Sequence, residues 1–189
     1  MNEDLRRSKY GPFGNLYWQV HEDWIVHYRD WTRPGFRALA VHRFGAMLRE
    51  VNGGVLKCVL TKLYLFLFRY VRNHYGIELP DTTIVGRRFH IGHQNGIVIH
   101  QDAEFGDDCV VRQNVTIGQV NQVRNKGAKI GHRVDIGAGA IIVGGVTIGN
   151  DVQIGPNAVV MTDIQAGATV FVAAPRIIQM RKAQGEVGG

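Results

Sequence analysis

The chain has 189 residues, 45% hydrophobic and 20% charged, which suits one ordinary domain with an extension and excludes a disordered tail protein. Its formal net charge of +6 favours anionic partners, but no recognition motif or Lys/Arg-rich run points to nucleic acid, so a merely basic surface is expected. Glycine is abundant at 24, and most of it follows the first 76 residues. The chain is thereby divided into an aromatic, basic part and a part rich in Gly, Val, Ile and Ala.

The chain opens on the polar stretch MNEDLRRSKYGPFG, which lacks the apolar run of a secretory signal. Cys58 and Cys109 have no metal or redox spacing and fit a reducing compartment, so a cytoplasmic location is expected. Residues 15–52 read as helices, with Trp18, Trp24, Trp31, Phe36, Leu39, Val41, Phe44, Met47 and Leu48 at mostly helical spacings. Pro34 belongs in the first turn of a second helix, and Asn52-Gly53-Gly54 ends it. A third helix is expected over about residues 54–74, where Lys57, Lys62 and Arg69 interrupt an apolar run and argue against a membrane span. It is either a packing helix or a basic amphipathic helix able to touch a membrane surface. Residues 1–76 thus form an α-helical N-terminal domain.

Beyond it, aliphatic residues recur every six positions. Ile130, Ile136, Ile142, Ile148, Ile154, Val160, Ala166 and Val172 form one series, often followed by glycine. Val85, Ile91 and Ile97 form an earlier one, and Ile99, Phe105, Val111 and Ile117 another; the frame slips by two between these two and again across residues 118–129. A period of six is neither helical nor a plain strand alternation. It implies short strands separated by turns, each sending one aliphatic side chain inward. Three units close a triangular coil, and coils stack at roughly 4.8 Å. The expected fold is a left-handed parallel β-helix of about five coils over residues 77–178, with a loop at 118–129 and a tail at 179–189. Glycine and asparagine are expected at its corners. A prism of this kind is expected to trimerise about its axis.

Three histidines, His90, His93 and His100, lie close in sequence, without the Cys or acid spacing of a zinc site, so no metal is expected. His93 sits in GHQNG, at a frame slip, where a side chain is exposed and can serve as a general base. Glu78, fifteen residues earlier, falls nearly one coil back on the same face and could orient the imidazole; Asp81 and Asp102 are rival carboxylates.

These residues carry a resemblance. The segment NHYGIELPDTTIVGRRFHIGHQNGIVIHQDAEFGDDCVVRQNVTIG, followed by KIGHRVDIGAGAIIVGGVTIGNDVQIGPNAVVMTDIQAGATVFVAAPRII, resembles the serine acetyltransferase branch of the hexapeptide-repeat acyltransferases. PGFRALAVHRF is similar to the end of that branch's helical domain. The resemblance implies an O-acetyltransferase that uses acetyl-CoA, with His93 as base and Glu78 in the place of an aspartate one methylene shorter. It implies a donor groove between subunits of a homotrimer, or a dimer of trimers, with Gly137, Ala138 and Gly139 in its wall; the loop ends Gly118 and Lys129 are assigned to the donor with them. Two departures bear on the acceptor. Gly92 stands where the branch has an aspartate, and Lys126 and Gly127 stand where it has Arg-His. Short relatives of this kind acetylate sugar hydroxyls in exopolysaccharide biosynthesis, so the acceptor is expected to be such a sugar or L-serine of cysteine biosynthesis. A noncatalytic β-helix scaffold is the reading from a different class, and a hydratase similar to the γ-carbonic anhydrases is a third.

Overall fold

The computed structural model describes residues 3–119, 127–174 and 176, with side chains from residue 11 onward. Three helices come first. α1 (Glu3–Val26) is broken at Gly11, whose φ is 63°, just before Pro12; proline removes an amide donor and drives the preceding residue out of the helical region. α2 (Pro34–Glu50) opens on its proline, as the sequence predicts. α3 (Val55–Tyr75) closes at Gly76, which is left-handed at φ 64° and donates its N–H to the Arg72 carbonyl.

Short strands follow in chain order. They are β1 (Ile77–Glu78), β2 (Ile84–Val85), β3 (His90–Ile91), β4 (Ile97–Ile99), β5 (Glu104–Phe105), β6 (Val110–Val111) and β7 (Thr116–Gly118) before the loop. After it come β8 (Lys129–Ile130), β9 (Asp135–Ile136), β10 (Ile141–Val143), β11 (Thr147–Ile148), β12 (Gln153–Ile154), β13 (Val159–Val160) and β14 (Thr169–Val170). They form three parallel sheets in the orders β1-β4-β7-β10-β13, β2-β5-β8-β11 and β3-β6-β9-β12-β14, which we call faces one, two and three. Consecutive strands go to different faces, so the chain winds around a triangular prism. The six-residue series fills its interior: Ile91, Ile97, Ile117, Ile136, Ile142 and Ile148 are at most 2% exposed. Each such side chain contributes roughly 1.5–3 kcal/mol by leaving water.

Strand register locates the frame slips. Glu78 pairs with Val98, Ile84 with Glu104 and His90 with Val110, each partner twenty residues on, whereas Val98 pairs with Thr116 eighteen on. The two extra residues fall between His90 and Val98, at GHQNG. Ile117 pairs with Ile142, twenty-five residues on, so the loop after β7 adds seven. One expectation is corrected. Ile148 bridges to Ile164 and Ile154 pairs with Val170, sixteen residues on, so the last coil is two residues short. Ile164 and Val170 pack against the core, while Ala166 and Val172 are exposed. The corner before Ile164 is closed by the Asp163 carboxylate, which accepts the Thr147 N–H at 2.7 Å in place of a longer turn.

Corner chemistry also differs from the expected glycine and asparagine. Asn95, Asn114 and Asn157 do take positive φ at the corner between faces three and one, but Arg88, Asp108, Arg133 and Asp151 take it at the corner between faces two and three. The left-handed region costs such residues roughly 1–2 kcal/mol each. They stack one coil above another as charge pairs: Arg88 on Asp108 at 2.5 and 2.6 Å, and Arg133 on Asp151 at 2.6 and 2.8 Å.

The helices cap the open end of the prism. The first coil exposes unpaired backbone groups that would otherwise recruit another strand. Asp23 of α1 accepts the Phe89 N–H at 3.2 Å, and His27 Nε2 accepts the Ile91 N–H at 3.2 Å. Arg43 of α2 donates to the carbonyls of Val85 and Gly86 at 2.5 Å and pairs with Asp23 at 2.9 Å, with both side chains at most 3% exposed. His42 donates from Nδ1 to the Pro80 carbonyl at 2.9 Å. α2 meets β3 at Gly35, where a Cβ would lie 2.4 Å from the Ile91 carbonyl oxygen. Only glycine permits that approach.

α3 leaves one face uncovered. Tyr64, Val71 and Tyr75 point inward, but Leu56, Val59, Leu63, Phe66 and Tyr70, spaced three and four apart, are 47–66% exposed. The helix carries no acidic residue, and Lys62 and Arg69 lie along the edge of this stripe. Among the described residues, no helix is long and apolar enough to cross a membrane.

Candidate active site

His93 and the turn Gly137–Gly139 lie on the corner between faces three and one. This corner is a continuous stack of backbone hydrogen bonds. Asn95 N–H donates to Tyr75 O at 3.0 Å, Asn114 N–H to Asn95 O at 2.9 Å, Gly139 N–H to Gln113 O at 2.9 Å and Asn157 N–H to Ala138 O at 2.9 Å. His93 stands on this corner two residues before Asn95, and the extra residues of GHQNG push it out of the wall, where it is exposed. Gly137, Ala138 and Gly139 form the same corner two coils away, roughly 10 Å along the prism axis.

The carboxylates separate by corner. Asp81 accepts from Tyr64 Oη at 3.1 Å and belongs to the contact with α3. Asp102 donates its N–H to His100 Nδ1 at 3.2 Å, and its carboxylate lies 3.8 Å from that ring. Both sit on the corner between faces one and two. Glu78 is half-buried on β1, immediately past the stacked corner and paired with Val98. Of the three it alone shares a corner with His93, although no hydrogen bond joins them.

The donor-side residues are not all together. A Cβ on Gly137 would lie 2.6 Å from Pro156 N, and one on Gly139, with φ 72°, would lie 2.2 Å from Asn157 Oδ1. The two glycines therefore keep the wall bare. Their N–H groups donate to the carbonyls of Ile154 at 2.7 Å and Gln113 at 2.9 Å. Gly118 ends β7 on face one, and its carbonyl accepts the Gly144 N–H at 2.9 Å. Lys129 lies on face two, 3.6 Å from Glu104. The structure does not bring it to the His93 corner of the same chain. Lys126 lies outside the described residues.

The two glycines expected on the acceptor side differ in kind. A Cβ on Gly127 would lie 1.9 Å from the Asp102 carbonyl oxygen, so the backbone there excludes any side chain. A Cβ on Gly92 would meet nothing nearer than Arg112 Cγ at 3.7 Å. Gly127 is imposed by packing, and Gly92 is not.

Several polar groups near His93 escape the hexapeptide pattern. Arg112, just past the inward Val111, makes a double contact with Asp135 one coil on, its second bond at 3.1 Å. His90 faces outward from β3, with its ring edge-on to Tyr28 at 6.0 Å and to His27 at 4.8 Å. Burial holds the His90 imidazole below its ordinary pKa, and the positive charges of Arg33 and Arg112 add to this. Sequence reasoning missed Arg112 and Asp135, which only strand register pairs across the coils. Nothing in sequence placed Tyr28 or Arg33 beside them.

The chain is similar to known proteins. The family model "Bacterial transferase hexapeptide (six repeats)" matches residues 127–162. The chain is 34% identical over 122 residues to the "Putative colanic acid biosynthesis acetyltransferase WcaB" of Escherichia coli K12, covering 62% of this chain and 74% of that protein. It is 34% identical over 114 residues to the serine acetyltransferase of Helicobacter pylori, covering 60% of this chain and 63% of that one. Serine acetyltransferase isoform 3 of Entamoeba histolytica, solved with cysteine, superposes with a TM-score of 0.75 at 28% identity, over 90% of this chain and 63% of that one. The chain thus spans less than two thirds of both serine acetyltransferases and about three quarters of WcaB. By this identity and coverage, and by the prism they run along, the chain belongs to the hexapeptide-repeat acyltransferases, in their serine acetyltransferase-like branch.

Proposed function

We propose that this chain is an O-acetyltransferase that moves the acetyl group of acetyl-CoA to a sugar hydroxyl of a surface polysaccharide. His93 removes the proton of the acceptor hydroxyl as its oxygen bonds to the thioester carbonyl carbon. The tetrahedral oxyanion then collapses, the C–S bond breaks, and the imidazolium gives the proton to the departing CoA thiolate. Glu78 steadies the ring. The bare wall at Gly137–Gly139 lies along the donor, where the Ala138 amide has no backbone partner among the described residues and is able to donate to it.

The observation that carries the sugar reading is the pair of glycines. Gly92 leaves an open space beside Arg112, and Gly127 has no room for a side chain. The aspartate and the histidine that hold an amino acid in the branch's serine enzymes are therefore missing, with Lys126 left in the place of the arginine, while WcaB, named for colanic acid, is among the relatives. The likeness to solved serine acetyltransferases favours L-serine as the second reading. Thiol release from acetyl-CoA, measured with L-serine and with a panel of sugars, decides between them. Release with serine alone sinks the sugar reading, and no release with either sinks acetyl transfer.

The same reading includes a left-handed winding of about five coils, a homotrimer or a dimer of trimers, and a cytoplasmic location. It rests α3 on an anionic membrane surface, where a lipid-linked acceptor would be met. The exposed stripe edged by Lys62 and Arg69, on a helix without acids, supports that placement over a second copy of α3, whose basic edges would repel.

A further inference from the structure

The linker between α1 and α2 does more than join them. Tyr28 and Arg29 are consecutive non-glycine residues in the left-handed region, at φ 62° and 58°. The bonds from Tyr28 N–H to Ile25 O at 3.0 Å and from Arg29 N–H to Trp24 O at 2.9 Å hold them there. Backbone held in a disfavoured region persists only where its surroundings fix it, and such residues gather at binding sites. The result is an aromatic ring that is 70% exposed on a backbone held by these bonds. The Arg33 guanidinium lies 4.6 Å from the Tyr28 ring centroid, and the ring stands edge-on to His90.

His90 is three residues from His93 along extended chain, so their Cα atoms are at most about 10 Å apart. Arg112 lies on the outer surface against Gly92, with its guanidinium gripped by Asp135; these two side chains are 39% and 43% exposed. An aromatic face suits the C–H face of a sugar ring. An adjacent guanidinium and carboxylate supply donors and acceptors for vicinal hydroxyls.

We infer that Tyr28, Arg33, Arg112 and Asp135 form a pyranose subsite that seats the acceptor ring beside His93, an inference that rests on the sugar reading above. Tyr28 stacks on the ring, and the Arg112–Asp135 pair fixes which hydroxyl is turned toward the imidazole.

The test combines binding and turnover. Saturation-transfer NMR with methyl glycosides of a neutral hexose and of a hexuronic acid reads binding to the full chain without acetyl-CoA. Thiol release from acetyl-CoA reads transfer to the same probes. Tyr28→Asn keeps a residue tolerant of positive φ but removes the ring, and Tyr28→Phe keeps the ring. The inference expects glycoside signals in the wild type and in Tyr28→Phe. It expects their loss in Tyr28→Asn and in Arg112→Ala, with the acceptor KM raised at least 10-fold and the acetyl-CoA KM unchanged. Preference for the hexuronide would mark Arg112 as reading a carboxylate, and equal signals would mark it as reading hydroxyls; both support the subsite. Absence of glycoside binding in the wild type, or full binding in Tyr28→Asn, overturns it. Binding that depends on Tyr28 without any thiol release supports the subsite and counts against acetyl transfer alone.

Discussion

A Cβ on Gly92 would lie 3.7 Å from Cγ of Arg112, ordinary van der Waals contact. Gly92 is therefore a chemical choice and not a steric one. Gly92→Asp should fold normally and place a carboxylate next to the proposed base and against Arg112. The account expects transfer to sugars to fall at least 10-fold and transfer to L-serine to rise. Steady-state kinetics with both acceptors checks it; an unchanged preference would mean that this position does not read the acceptor.

Gly127 behaves oppositely. With the Asp102 carbonyl oxygen 1.9 Å from any Cβ, Gly127→Ala must push the coil apart. We expect a loss of roughly 1–3 kcal/mol, typical of overpacking, read as a lower Tm with Gly92→Ala as the near-neutral control. Equal Tm values for the two variants would contradict the distinction drawn between them.

Stability should depend on pH through the cap. Burial holds His27 at about 4 and His42 at about 3, below the ordinary 6.5. In the folded state both stay neutral while the unfolded chain takes up protons below about pH 6.5. Their contribution is therefore fully present above pH 6.5 and is lost as pH falls toward 4. Each pKa unit corresponds to about 1.4 kcal/mol. Urea denaturation at pH 7.5 and pH 5 should show a midpoint that falls with pH, and His42→Gln should flatten the trend. A flat midpoint in the wild type would contradict it.

The α3 stripe makes a prediction about lipids. Wild-type protein should co-sediment with vesicles containing phosphatidylglycerol and not with pure phosphatidylcholine. The double variant Leu63→Glu, Phe66→Glu should stay in solution at an unchanged oligomeric state. Dissociation of the oligomer by that variant, or wild type that ignores both vesicles, would assign the stripe to packing between copies of the chain.

How much of this the sequence showed follows from where the information lies. The inward aliphatics are local, so the prism, the slip at GHQNG and the loop after β7 could be read directly. The shortened last coil could not. Ile164 and Val170 compete with Ala166 and Val172 as continuations of the series, and only the Asp163 side chain closing the corner decides between them. The contacts that make the helices a cap were also hidden, because Asp23 and His27 meet Phe89 and Ile91 from more than sixty residues away. The position of His93 was legible as a frame slip. Its neighbours Arg112 and Tyr28 were not, because strand register and a left-handed linker bring them there.

Glu78 should act through His93 and not on substrate directly. Glu78→Gln is expected to lower kcat by about 10-fold or more, with acetyl-CoA and acceptor KM values little changed and the acidic limb of the pH–rate profile displaced. A change confined to KM would move Glu78 into substrate binding.

The central claim is that His93 is the base. Thiol release from acetyl-CoA with a saturating acceptor should fall at least 100-fold in His93→Ala, at wild-type Tm and oligomeric state. Turnover undiminished in a folded His93→Ala protein would contradict the account.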